Sequence, residues 1–111
     1  MRNIIRLSLA LFLFAAMPLA GAAHEVYVYE GFDYAYVNSA HTQVTVCDRE
    51  TDDNPAYANY TRTGSSSVHR VDDPNGSQPG CGQTTHYYYI LAFRVCEGVF
   101  GSDPCSSWAI P

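Results

Sequence analysis

The chain contains no lysine. Its cationic side chains are six arginines set against 11 acidic residues, for a formal net charge of −5 with neutral His. Over residues 23–111 the balance is steeper. All 11 acids remain against Arg49, Arg62, Arg70 and Arg94, which gives −7. Nucleic acid and anionic membrane surfaces attract proteins through basic patches, so the charge balance excludes both as partners. Helical periodicity of useful length is missing after residue 23, and with it any helix-borne recognition motif. No Cys-x-x-Cys spacing occurs, so the cysteines do not read as a zinc site. Neither a metal nor a cofactor is expected. A Gly-x-Ser-x-Gly turn is also absent, and with it the marked nucleophile of an α/β-hydrolase. His24, His41, His69 and His86 are scattered without helix-face metal spacing. No catalytic residue is assigned.

What the chain does have begins with its first 23 residues. Arg2 and Arg6 form a basic head, and Leu7 to Met17 is apolar apart from Ser8. Pro18 follows, then the small residues Ala20-Gly21-Ala22. Basic head, apolar stretch and small-residue exit make a cleavable secretory signal. The apolar run is about eleven residues, short of the roughly 20 that span a bilayer. Cleavage is expected after Ala22, with Ala23 the next choice. Residues 1–22 are then a signal peptide and residues 23–111 a single secreted β-domain, extracellular and without membrane attachment.

Four cysteines follow the leader: Cys47, Cys81, Cys96 and Cys105. In an exported chain of this length an even cysteine count reads as a disulfide framework. Two disulfides also support a domain whose hydrophobic core is thin for its surface. Cys96 and Cys105 flank a loop with two glycines and a proline, which closes locally at little entropic cost. Cys47 ends one strong strand pattern and Cys81 precedes another. Cys47–Cys81 with Cys96–Cys105 is therefore preferred over Cys47–Cys96 with Cys81–Cys105.

Period-2 alternation and turn residues dominate the rest. Strands are expected at 25–30, 34–38, 42–48, 56–63, 66–71 and 85–97, with a possible short edge strand at 106–110. Residues 72–82 are dense in Asp, Pro, Asn and Gly and must be a loop. In the strand at 85–97, Tyr87, Tyr89, Leu91, Phe93 and Val95 fall on one face and are expected to point at the core. The fold class is all-β, a small antiparallel sandwich or barrel of immunoglobulin-like size, stapled by two disulfides.

The nine tyrosines are the most suggestive feature. Tyrosine offers rigid contact area with a polar tip, which suits protein interfaces and sugar stacking. It is also simply a good strand former. Tyr27, Tyr29 and Tyr88 are the candidate binding surface, Tyr88 because its neighbours are assigned to the core face. The acidic loop Asp48, Glu50, Asp52, Asp53 and Asn54 fails the spacing of a twelve-residue calcium loop and reads as a solvated hairpin loop.

Several short pieces carry a resemblance. They are Val46-Cys47-Asp48 with the acidic loop and Ala58-Asn59-Tyr60, then Pro79-Gly80-Cys81, Phe93 to Glu97, and Cys105-Ser106-Ser107-Trp108. In these the chain resembles small secreted proteins of actinomycete-type bacteria, a group with no assigned activity. Small secreted α-amylase inhibitors of similar bacteria are also tyrosine-rich, four-cysteine β-sandwiches. Their inhibitory Trp-Arg-Tyr turn has no counterpart here, since the only tryptophan is Trp108. The reading is a secreted, non-enzymatic binding module whose partner is an unidentified protein or glycan. The alternative is a proteinaceous inhibitor of an extracellular hydrolase, acting through the loop 97–104.

Overall fold

The structure is a computed structural model that describes residues 24–85 and 87–111. The expected signal peptide and its cleavage point at Ala22 lie outside the described residues. Where alternating residues were read as strands, strands form: β1 (Val26–Glu30), β2 (Asp33–Val37), β3 (Val44–Cys47), β4 (Ala56–Arg62), β5 (His69–Asp72), β6 (Gly82–Gln83) and β7 (Ile90–Glu97). No helix occurs among the described residues.

The strands make two antiparallel sheets. One has the order β1-β2-β3-β6 and the other β5-β4-β7. They pack face to face, with β7 crossing β1 and β2 and with β3 against β4. Period-2 geometry sends alternate side chains to opposite faces. Val37, Val44, Val46 and Ala35 of the first sheet meet Ala56, Ala58, Tyr60, Ile90, Phe93 and Val95 of the second in one buried core. β-branched valines fill most inward positions of the first sheet, the side chains that best suit a pleated, half-buried surface.

The hairpin β1–β2 turns on Gly31 and Phe32. Gly31 takes φ +61 at the first central position, the place where a two-residue hairpin of type II′ wants glycine. This turn sets the register Val26↔Val37, Tyr27↔Tyr36, Val28↔Ala35, Tyr29↔Tyr34 and Glu30↔Asp33.

Both disulfides follow the preferred pairing, Cys47–Cys81 and Cys96–Cys105. The route to the first differs from the one expected. Cys47 lies beside Cys81 because β3 pairs with the two-residue strand β6, where Val46 faces Gly82. That strand begins at Gly82, the last residue of the stretch read as loop, and ends at Gln83. Gly82 is required there, since a Cβ would stand 1.8 Å from the Asp72 carbonyl oxygen. The residues after Cys105 run along the free edge of β7. Ser106 N donates to Val95 O, and Phe93 and Ala109 exchange both backbone bonds.

One expectation fails in an instructive way. The strand β7 starts at Ile90, five residues later than its alternation suggests. Its register against β4 shifts at Thr61/Arg62, with Thr61 facing Ala92 and Arg62 facing Ile90. Leu91 is the extra residue of a β-bulge, which inverts the alternation on its N-terminal side. Phe93 and Val95 point inward as expected. Leu91, Tyr87 and Tyr89 do not; Tyr87 is 95% exposed. Tyr88, assigned to the outer face, is instead half-buried against the core.

Candidate binding face

The hairpin register assembles a block of four tyrosines. Tyr27 lies opposite Tyr36 and Tyr29 opposite Tyr34, all on the outer face of the first sheet. Directly opposite residues on one sheet face are the pairs that interact most strongly. Ring centroids are 4.8 Å apart for Tyr27–Tyr36, 5.9 Å for Tyr29–Tyr34 and 6.4 Å for Tyr27–Tyr29 and Tyr34–Tyr36. The close interplanar angles, 26° for the first pair and 16° and 21° for the along-strand pairs, are those of stacked rings. Tyr36 and Tyr34 are half-buried within the block, while Tyr27 is 44% and Tyr29 60% exposed.

Polar groups frame this block. The Tyr27 hydroxyl donates to a Glu25 carboxylate oxygen at 3.0 Å, and that negative acceptor holds the phenol pKa above its ordinary value. On the other side the Arg49 guanidinium stands 5.7 Å from the Tyr34 ring centre. It donates to the carbonyls of Asp48 and Gly80 and to Cys81 Sγ, so the Cys47–Cys81 bridge and the arginine brace each other. Gln83 Nε2 donates to Thr45 Oγ1 at 3.2 Å further across the same sheet.

Tyr88 is not part of this face. Its hydroxyl lies 3.4 Å from that of Tyr60, and the Arg62 guanidinium covers its ring at 4.2 Å. Burial, and then the Tyr88 hydroxyl, push the Tyr60 phenol up to about 12. Of the three tyrosines singled out in the sequence, the structure brings Tyr27 and Tyr29 together and places Tyr88 elsewhere.

A second exposed feature is the loop 98–104, closed by Cys96–Cys105. Glu97 N donates to Pro104 O and Gly98 N to Pro55 O. Asp103 accepts from Val99 N and from the Tyr57 hydroxyl. The phenol and the amide hold the Asp103 carboxyl below the usual carboxylate range. Tyr57 is in turn covered by the Arg70 guanidinium at 3.6 Å, which Asp72 holds in a salt bridge. At the tip of this braced loop Phe100 is fully exposed.

A third feature lies at the turn end of the hairpin. Glu30, Asp33, Glu50 and Glu97 each place a carboxylate oxygen within 4.8 Å of the others. Glu50 arches over the turn to accept from Phe32 N at 2.8 Å, and Asp33 accepts from Arg49 N at 2.7 Å. Burial is the main force raising the Asp33 carboxyl, to about 7. The neighbouring Glu50 carboxyl, then burial, raises Glu97 to about 8. Glu50 also lines a recess of about 330 Å³ between the loop 48–55 and the turn at 75–78.

No family model, curated protein or solved structure matches this chain. Its reading therefore rests on its own residues.

The arrangement of the acidic loop departs from a merely solvated one. Asp48 is buried, donates its amide to Asp73 and caps Glu50 N. Glu30, Asp33 and Glu97 carried no sequence signal for joining Glu50, because the β1–β2 hairpin, the loop after β3 and the end of β7 supply the four residues from places far apart in the chain. A serine–histidine contact also forms, Ser65 Oγ to His69 Nε2 at 2.9 Å. Ser65 Oγ simultaneously accepts from Ser67 N, and His69 stacks on Tyr60 at 5.4 Å. Among the described residues no carboxylate bonds the other ring nitrogen of His69, so the pair caps a loop and does not make a triad. Arg94 donates to Asn59 and lies over Trp108.

Proposed function

We propose that this chain is an exported, non-enzymatic binding domain that captures a neutral polysaccharide on the tyrosine face of its four-stranded sheet. The observation that carries this reading is the paired block Tyr27–Tyr36 and Tyr29–Tyr34, open to solvent at Tyr27 and Tyr29. Aromatic rings beside hydrogen-bonding groups suit sugars, whose axial C–H bonds stack on π-faces while their hydroxyls need donors and acceptors. Glu25, Arg49 and Gln83 supply those groups at the margin. The lysine-free, acidic composition disfavours polyanionic glycans. The two disulfides suit an oxidising compartment outside the cell, which fits export through the leader.

Affinity electrophoresis and pull-down of the oxidised domain on insoluble and soluble neutral polysaccharides test the reading. Tyr29→Ala and Tyr27→Ala are expected to weaken retention by about tenfold or more, since stacked aromatics act as hot spots worth about 2 kcal/mol. Tyr89→Ala, exposed but away from the block, is expected to leave it unchanged. Retention insensitive to Tyr27 and Tyr29, or no retention on any glycan, refutes it.

A second reading, inhibition of an extracellular hydrolase, is favoured by one observation. The loop 98–104 is held at both ends by Cys96–Cys105 and inside by Asp103, and offers Phe100 at its tip. Pre-organised loops bind with little ordering cost. Inhibition of secreted hydrolases that disappears in Phe100→Ala and survives Tyr29→Ala selects this reading over the first.

A further inference from the structure

We infer that Glu30, Asp33, Glu50 and Glu97 form a calcium site that ties the two sheets together at the turn end of the sandwich. The ligands come from four places: the last residue of β1, the first of β2, the loop after β3 and the last residue of β7. Two belong to the first sheet and one to the second. A cation among them therefore bridges the two sheets.

Acidic residues crowd together on many surfaces without holding an ion, so the crowding alone decides nothing. Two buried oxygens decide it. Asp33 is fully buried and Glu97 is only 9% exposed. Asp33 Oδ2 and Glu97 Oε1 have no hydrogen-bond partner. A buried polar atom without a partner is rare in folded proteins and costs its full desolvation. Here two such atoms belong to carboxylates that converge on one point. Asp33 Oδ1 accepts from Arg49 N and Glu50 Oε2 from Phe32 N, and these bonds from outside the cluster fix both carboxylates.

Among the described residues no ion pair joins a cationic side chain to the cluster. Arg49, the arginine next to it in sequence, sends its guanidinium to Asp48 O, Gly80 O and the Tyr34 ring. Asp48 and Asp52 add negative charge around it.

The donor set names the ion. All four ligands are hard carboxylate oxygens, with neither sulfur nor imidazole, which suits calcium or magnesium and not zinc or copper. Opposite ligands of calcium, at about 2.4 Å each, stand about 4.8 Å apart. One oxygen from each of the four carboxylates lies within that distance of the others. Magnesium demands about 2.0–2.1 Å and a rigid octahedron, and carboxylates from a hairpin, a loop and a distant strand end form the looser kind of cage.

The test uses the oxidised, processed protein stripped with chelator. Terbium is the direct probe, because tyrosine excitation sensitises its emission when it occupies a calcium site. Saturable emission that calcium displaces, and magnesium displaces far less well, is expected. Calcium is also expected to raise the thermal midpoint over chelator. Asp33→Asn and Glu97→Gln should each weaken calcium by roughly tenfold or more, since such sites are tuned by ligand charge. Asp53→Asn, an exposed neighbour outside the cluster, should keep full affinity. If Glu97→Gln does not fold, Asp33→Asn and Glu50→Gln carry the same comparison. Absence of calcium-displaceable emission together with an unchanged midpoint overturns the site, and so does Asp53→Asn weakening calcium as much as the ligand variants do. Glycan retention is scored separately, so failure here leaves the tyrosine face standing.

Discussion

Replacing each cysteine pair by alanine separates the two staples by loop length alone. In each pair one cysteine is fully buried (Cys47, Cys96) and the other half-buried (Cys81, Cys105), so the packing lost is similar. The loops differ: the bridged residues are 34 apart in one case and 9 in the other. With those separations the chain-entropy relation gives about 3.8 kcal/mol for Cys47–Cys81 and about 2.6 kcal/mol for Cys96–Cys105 at 25 °C. A domain of this size has a total stability on the order of 5–13 kcal/mol, so loss of both removes roughly half of it at the upper end and all of it at the lower. At roughly 4–8 °C per kcal/mol, the thermal midpoint should fall about 15–30 °C without the first bridge and about 10–20 °C without the second. Urea unfolding followed by tyrosine fluorescence and circular dichroism reads the difference. The slope with denaturant should also rise, because the unfolded chain becomes less compact. If Cys96→Ala/Cys105→Ala costs as much as Cys47→Ala/Cys81→Ala, loop entropy is not what the bridges contribute. If neither changes the midpoint, the domain stands on its core alone.

Two further outcomes test the structure at other points. The bulge at Leu91 predicts opposite costs for adjacent residues: Ile90→Ala should destabilise by about 2–4 kcal/mol as a buried truncation. Leu91→Ser, half-exposed, should cost under about 1 kcal/mol, and equal costs in urea unfolding would contradict the register shift. The Asp103 carboxyl is held below its ordinary range by the Tyr57 hydroxyl and the Val99 amide. A depressed folded-state value means the anchoring is complete above the ordinary aspartate value and is lost as pH falls through the depressed one. Amide exchange at Val99 should therefore quicken at acid pH relative to the core, and Asp103→Asn should remove that dependence; a variant that keeps it would refute the anchor.

Much of the fold was legible because it is local. Alternation at 25–30, 34–38 and 42–48 places Val26, Val28, Ala35, Val37, Val44 and Val46 on one face, and those side chains do line or flank the core. The same period puts Tyr27 and Tyr29 outside. The disulfide pairing was also legible, although its route through β6 was not. Two residues are too short a strand to leave a period, and Gly82 reads as a turn former until the Asp72 carbonyl is seen against it. Face assignment failed at 87–91 for a related reason. Alternation gives the side of a residue only relative to its neighbours, and one bulged residue inverts everything before it.

Composition, cysteine placement and period-2 patterning by themselves determined an all-β, doubly cross-linked domain with tyrosines on an outer strand face, because each of these is written in neighbouring residues. Only the tertiary structure decided that Tyr34 and Tyr36 complete that face while Tyr88 does not, and that Glu30, Asp33, Glu50 and Glu97 meet. Convergence of side chains from separate strands depends on hairpin register and sheet-on-sheet packing. Those are distances through space, and no spacing along the chain encodes them.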